Sequence, residues 1–349
     1  MLGLILKFRH YLYDKGIKKS YKFTTPTICV GNITVGGTGK TPHIELLINI
    51  LKKDHKIAVV SRGYKRKSKG YREVQADDNY LQVGDEPLQI KRKFPDVIVV
   101  VDKDRKRAIE TLEAMPYQQK PTLILLDDAF QHRRIVPTLS ILLINSLRPI
   151  HKDRLLPFGK LRDLPSRSKT ADIVILTKLD SPNEEDLSKW ETALRLPKAQ
   201  TLLFSKTKYM DILPIFPEEN DSRYIYSQKA ILFSGIASST PFERYVSSRY
   251  KIDNSIDYPD HHDFSRRDIK KLEKIAEKKS PLSIILTTEK DAQRLKNLSF
   301  ISDKLKRRMF YVPIEAEMIP NADFSKKLLP SELAELGREQ LYKAIHSKL

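Results

Sequence analysis

The feature that most constrains this chain is the stretch VGNITVGGTGKTP, residues 30–42. A short apolar run, Thr27–Val30, leads into a turn crowded with Gly36, Gly37 and Gly39. An amphipathic segment follows, with Ile44, Leu47, Ile48 and Leu51 on one helical face. Backbone N–H groups at such a helix start converge on an anion, and glycines permit the dihedrals that aim them. Lys40 is then within reach of nucleotide β- and γ-phosphates, and the Thr41 hydroxyl is placed to ligate Mg²⁺. The pattern is incomplete, however. G-x-x-x-x-G-K-[ST] requires a glycine five positions before Gly39, and Thr34 stands there. Residues Gly36, Gly37, Thr38, Gly39, Lys40 and Thr41 therefore read as a phosphate loop with an altered entrance, the alternative being a Gly-rich turn without a ligand. Some phosphate loops carry an extra lysine before the paired glycines. Val35 occupies that position here, so no lysine reaching across a dimer is expected, and a monomer is.

Apolar runs without polar alternation recur at Ile57–Ser61, Val97–Val101, Leu123–Leu126, Ile141–Ile144 and Ile173–Leu176. Strands buried on both faces of a parallel sheet have this texture. Strand, glycine loop, helix, strand is the grammar of an α/β domain. The expected fold is a P-loop NTPase-like parallel-sheet domain over residues 26–200 with a second, smaller α/β domain over 229–349. Residues 201–228 read as a two-stranded linker, and 1–25 as a separate N-terminal helical region.

A second element supports the phosphate loop. TLILLDDAFQHRR, residues 122–134, places two carboxylates after a buried run. An acid at the C-terminal tip of a strand beside a phosphate loop is where Mg²⁺ is held. Asp127 is the first choice and Asp128 its neighbour. Alone, the pair is equally a strand-end turn.

Lys plus Arg number 63 against 44 Asp plus Glu, a net charge of +19, which points to an anionic partner or to simple solubilisation. The one cysteine, Cys29, excludes a disulfide framework and a Cys-based metal site. No apolar run approaches the ~20 residues of a spanning helix. At the N-terminus, Leu2, Ile5, Leu6, Phe8, Leu12 and Tyr13 form an apolar surface beside Lys7, Arg9, Lys15, Lys18 and Lys19. That pattern suits either a helix lying in a bilayer interface or one packed on the domain.

Seven stretches then occur in order: GN-x₃-GGTGKTP, SRGY (61–64), GDEP (84–87), DD-x-x-QHRR (127–134), LLPFGKLRD (155–163), DHHDF (260–264) and TTEKDA (287–292). Each is short, but together they resemble the tetraacyldisaccharide 4′-kinase family, the lipid A 4′-kinases, over roughly residues 26–292. The resemblance implies ATP-dependent phosphorylation of the 4′-hydroxyl of a tetraacylated glucosamine disaccharide 1-phosphate. It also implies a peripheral location on the cytoplasmic face of the inner membrane, with the N-terminal helix on anionic lipid. Lys40 and Thr41 match the loop lysine and the Mg²⁺-ligating hydroxyl, and Asp127 and Asp128 match the metal-binding acids. Gln131 and His132 match residues beside the metal and phosphates. Arg162 matches a substrate-binding position, but the family's usual Arg-Glu is Arg162-Asp163 here, so Asp163 enters as a metal ligand one methylene shorter. Arg62 and Tyr64 are expected at the sugar or its phosphate.

The resemblance further suggests an Asp–His acid-base pair. Asp85 is the candidate carboxylate, with Asp102 its competitor, and His261 or His262 the candidate imidazole. The Asp85 pairing requires the smaller domain to close over the larger. Two rival readings remain. TKLD (177–180) resembles the guanine-reading element of P-loop GTPases. The charge and the tract YKRKSKGYR (64–72) suggest nucleic acid, but zinc-finger, RNP and basic-zipper motifs are absent, so no nucleic-acid partner is expected.

Overall fold

A computed structural model describes residues 2–179, 182, 184–279, 282–320 and 329–349. The apolar runs become β1 (Thr27–Gly31), β2 (Ile57–Ser61), β4 (Ile98–Val101), β5 (Leu123–Asp127), β6 (Leu139–Asn145) and β7 (Ile173–Thr177), with a short β3 (Arg72–Glu73) between β2 and β4. Then come β8 (Thr201–Tyr209), β9 (Leu213–Pro214), β10 (Lys229–Ser234), β11 (Lys251–Asp257), β12 (Ile284–Thr288), β13 (Met309–Val312) and β14 (Ile314–Ile319). They form two sheets, one ordered β14-β8-β7-β6-β1-β5-β2-β4-β3 and the other β11-β10-β12-β13-β9. Inside the larger sheet every pairing is parallel, and only the edge strands β3 and β14 run antiparallel to their neighbours. Helix-covered parallel strands meet water on neither face, which is why these runs are continuously apolar.

The helices are α1 (Leu2–Asp14), α2 (Lys40–Leu51), α3 (Tyr80–Val83), α4 (Asp85–Lys93), α5 (Arg105–Glu113), α6 (Glu184–Leu194), α7 (Thr240–Ser247), α8 (Arg266–Lys279), α9 (Glu289–Leu295), α10 (Asp303–Lys306) and α11 (Pro330–His346). Helix α2 buries Ile44, Leu47, Ile48 and Leu51 against Ile28, Val30 and the β5 residues Leu123 and Leu125. The second sheet has its own core of Ile231, Phe233, Ile285 and Met309, with Phe264, Ile269 and Leu272 beside them.

Two boundaries differ from the sequence expectation. Residues 201–209 do not begin a separate linker. Strand β8 adds to β7 in parallel and so completes the large sheet, and its antiparallel partner is β14, about a hundred residues later in the chain. The C-terminal part also leaves the small unit. Strand β14 returns to the large sheet, and α11 packs Leu341 and Ile345 into the same core as Met318. Gly337 makes this approach possible, since a Cβ there would lie 2.8 Å from the Met318 carbonyl oxygen. The chain thus crosses between units twice, through β8 and β14, and the smaller unit is an insertion rather than a tail.

Candidate active site

Strand β1 lies between β5 and β6, with Val30 opposite Asp127. This register sets the phosphate loop directly beside the tip of the acidic strand. The glycine missing at Thr34 is replaced by strand pairing. Thr34 forms an antiparallel bridge with Leu161, Val35 N donates to Lys160 O at 2.7 Å, and Arg162 N donates to Ile33 O at 2.9 Å. Extended backbone needs no glycine. The positive φ values fall later, at Gly36 (+102°) and Gly39 (+82°), where the chain turns into α2. Thr38 is buried, accepting from Asn32 Nδ2 at 2.7 Å, and Thr177 Oγ1 donates to its carbonyl at 3.1 Å. Thr41 lies in the first turn of α2, where free N–H groups and the helix dipole favour an anion.

The two carboxylates have different environments. Asp127 is buried at the end of β5, accepts from Ser61 Oγ at 2.9 Å, and leaves Oδ1 buried without a partner. Burial, with the charges of Glu86 and Asp128, pushes its carboxyl up to about 6. Asp128 follows with a left-handed φ of +47°. Burial opposes its ionisation, but the Lys40 charge and the Arg162 hydrogen bond hold it at about 2. Lys40 Nζ is 3.8 Å from Asp128 Oδ1, and Arg162 Nη1 donates to Oδ2 at 3.0 Å. Gln131 donates to the Asn32 carbonyl, which Arg162 also approaches at 3.3 Å. His132 is held down at about 4, mainly by burial and then by Arg105, and its Nε2 is buried without a partner.

Asp163 turns one oxygen toward α1 and leaves its Oδ2 buried without a partner. It is wholly buried, and its Oδ1 is 2.7 Å from His10 Nε2 on α1. Among the described residues no three His, Cys, Asp or Glu side chains converge as a metal cluster. Thr41, Asp127, Asp128 and Asp163 remain as candidate metal-binding groups, and the unpartnered Asp127 Oδ1 and Asp163 Oδ2 fit a hard cation that takes few protein ligands.

At the junction with the smaller unit, Asp85 opens α4 and is buried, meeting His261 and Arg294. His261 Nδ1 is 3.1 Å from Asp85 Oδ2, although 176 residues separate them in sequence. Burial alone would raise the Asp85 carboxyl. The His261 hydrogen bond and the charges of Lys290 and Arg294 override it and hold the group well below the ordinary range. Lys290 Nζ lies 3.1 Å from His261 Nε2 and 2.9 Å from Glu86, so the ring receives a donor at Nε2 and donates from Nδ1. Arg294 is fully buried, donates to Asp85 Oδ2 at 2.5 Å and to Asp291 Oδ1 at 2.7 Å, and stands 3.4 Å from His261 Nδ1.

Of the two histidines, only His261 contacts Asp85. His262 turns away, with Nε2 3.1 Å from Asp268 and its ring stacked on Tyr258 at 4.5 Å. Asp102 is bound instead by Arg107 through two hydrogen bonds of 2.8 Å. Tyr64 is exposed, its ring centroid 5.0 Å from that of His261. Arg62 is exposed at the end of β2, within electrostatic reach of Arg105.

Besides His10, the structure adds Asn32, Arg105, Lys290 and Arg294 to the residues that the sequence singled out. Asn32 lies in the quoted GN motif. Arg105, buried, donates to the carbonyls of Asp127 (2.9 Å) and Asp128 (3.0 Å) and locks their turn. Lys290 lies in TTEKDA and Arg294 just beyond it, a stretch that looks like an ordinary charged helix start.

A tetraacyldisaccharide-1-P 4′-kinase family model, LpxK, matches residues 1–332. The chain belongs to this family. It is 40% identical to a tetraacyldisaccharide 4′-kinase of Parabacteroides distasonis, over 90% of this chain and 87% of that one. With the Porphyromonas gingivalis 4′-kinase the identity is 42%, over 91% and 90%. The crystal structure of LpxK from Aquifex aeolicus in complex with ATP superposes with a TM-score of 0.70 at 28% identity, covering 98% of this chain and 96% of that one. The GTPase alternative is therefore not supported. In this 4′-kinase-family chain, TKLD lends Thr177 to the phosphate loop, and its Asp180 lies outside the described residues. No helix among the described residues is long and apolar enough to cross a membrane.

Proposed function

We propose that this kinase transfers the γ-phosphoryl group of ATP to the 4′-hydroxyl of a tetraacylated glucosamine disaccharide 1-phosphate, a lipid A precursor. The observation that carries the reading is the Asp85–His261 contact, made between the two units. A P-loop alone serves any nucleotide hydrolase. A base pair assembled by closure suits an acceptor other than water.

Phosphoryl transfer passes through a loose transition state, so positioning and charge neutralisation dominate. Gly36–Thr41 cradle the phosphates, and Lys40 swings from Asp128 to the transferred group. Mg²⁺ would be held by Thr41, Asp127, Asp128 and Asp163, and when bound it neutralises phosphate charge. Asp85 stays ionised because three cationic or hydrogen-bonding neighbours favour its charge. It accepts a hydrogen bond from the acceptor hydroxyl and takes the proton late, with His261 holding the carboxylate in place. Gln131 and His132 flank the nucleotide, while Arg62, Tyr64 and Arg162 face the sugar and phosphates.

Helix α1 presents Leu4 (73% exposed), Ile5 and Phe8 (63%) to solvent, and Phe158 (85%) stands nearby on the loop packed against Gly3. With Lys7, Arg9, Lys15 and Lys18 around them, these side chains suit an interfacial helix on anionic lipid. The enzyme then works as a peripheral monomer on the cytoplasmic face of the inner membrane. The test is transfer of labelled γ-phosphate to a tetraacyldisaccharide 1-phosphate in detergent micelles, with ATP and GTP compared. Labelled lipid from ATP supports the reading. Hydrolysis without labelled lipid, or equal use of GTP, defeats it.

A further inference from the structure

The N-terminal helix makes more contacts with the nucleotide site than an anchor needs. Arg9 Nη2 donates to the Gln131 carbonyl at 2.7 Å. His10, buried, places Nε2 2.7 Å from Asp163 Oδ1, and its carbonyl accepts from Arg133 Nη1 at 3.0 Å. Arg133 Nη1 also lies 3.4 Å from His10 Nδ1, and Nη2 donates to Asp14 at 2.7 Å. The imidazole therefore donates to the carboxylate from Nε2 and accepts from Arg133 at Nδ1. Both ring nitrogens are used, which fixes the ring.

The contact matters because of what adjoins it. Asp163 follows Arg162, whose guanidinium holds Asp128 and the Asn32 carbonyl, and Leu161 bridges Thr34 at the loop entrance. One three-residue segment thus touches α1 through its last residue and the phosphate loop and Asp128 through its first two. Gln131 has the same double attachment, its carbonyl on Arg9 and its amide on Asn32.

We propose that His10 is a positioning residue for phosphoryl transfer: through Asp163 it fixes residues 161–163, so that α1 seated on a lipid surface also sets Arg162 and Asp128 for the nucleotide. His10 and the Leu164 N–H both meet Asp163 Oδ1, while Oδ2 is buried without a partner, so His10 is the side chain that orients this carboxylate. The joint also separates two roles within one helix, an exposed apolar face toward lipid and a buried polar face toward the loop.

The proposal rests on the kinase reading, and its test has an arm that does not. Mg²⁺·ATP binding is first titrated without lipid for wild type, His10→Ala, His10→Asn and Asp163→Asn. Then kcat, KM for the lipid in micelles and the Mg²⁺ concentration for half-maximal rate are measured. Loss of one buried, charge-assisted hydrogen bond predicts an about tenfold fall in kcat for His10→Ala. The Mg²⁺ midpoint rises with it and lipid KM moves less than twofold. His10→Asn, which keeps an N–H donor, recovers most of the rate. His10→Ala combined with Asp163→Asn is no worse than the poorer single variant, because both break one contact. A change confined to lipid KM, or strictly additive losses, overturns the proposal and leaves α1 as an anchor only. Should His10→Ala lack a cooperative melt, Asp163→Asn and His10→Asn carry the same comparison. If no variant, wild type included, labels lipid while Mg²⁺·ATP binding still weakens in His10→Ala, the kinase reading has failed and the joint stands.

Discussion

Arg294→Met tests the electrostatics of the domain junction. The substitution keeps an unbranched stem in a fully buried position and removes the charge that faces Asp85 at 2.5 Å and Asp291 at 2.7 Å. Removing one partner of a buried ion pair costs about 3–5 kcal/mol, because the other charge remains without compensation. Here one cation serves two carboxylates, so the upper part of that range applies. The sign with pH follows from linkage. Asp85, depressed in the folded enzyme, contributes stability that is complete above the ordinary aspartate value near 4 and is lost as pH falls through the folded value. Without Arg294, burial is less opposed at Asp85, and Asp291, already raised by burial, rises further. Folding then binds protons, and the variant's deficit shrinks as pH falls from 8 toward 5. Urea denaturation followed by far-ultraviolet circular dichroism at pH 8, 6.5 and 5 reads this directly. A deficit below about 1 kcal/mol, or one independent of pH, would refute the assignment of Arg294 as the shared counter-ion.

Other substitutions separate the parts of the site. Lys40→Ala should lower kcat by at least about a hundredfold, read by labelled transfer, since a preorganised charge on the transferring group is lost. His261→Ala should slow turnover strongly while His262→Ala stays within about threefold, because only His261 meets Asp85; the reverse ranking would contradict the geometry. Asp127, raised to about 6 in the folded protein, favours its protonated form there, so its contribution opposes stability as pH rises from about 4 to 6. Mg²⁺ alone should therefore raise the melting temperature more at pH 7.5 than at pH 5, and Asp127→Asn should abolish that difference. Phe8→Asp should reduce sedimentation with vesicles containing anionic lipid, with a change in KM for the lipid rather than in nucleotide binding.

Much of the large sheet was legible because its strands are buried on both faces and so write continuous apolar runs. The phosphate loop and Asp127–Asp128 were legible for the same reason, since a strand end, a glycine turn and a helix start lie within a few residues. What local pattern could not show was pairing over distance. Strand β14, IEAEMI, alternates like any half-buried strand, and only its antiparallel match with β8 assigns it to the first sheet. Thr34 failed the sequence pattern, yet its backbone is extended and braced by Leu161, a partner 127 residues away. Arg294, Lys290 and His10 escaped notice because each acquires its role by burial against a distant acid. The His10 contact of Asp163 was likewise invisible, since it joins residues 153 positions apart; it engages Oδ1 and leaves Oδ2 buried without a partner.

The most direct test of the closed Asp85–His261 site is single-turnover transfer of labelled phosphate by Asp85→Ala, with Mg²⁺·ATP binding titrated on the same preparation. The account predicts binding near the wild-type value and transfer reduced by at least about a hundredfold. Transfer at the wild-type rate with binding intact would contradict it and remove the carboxylate from the chemistry.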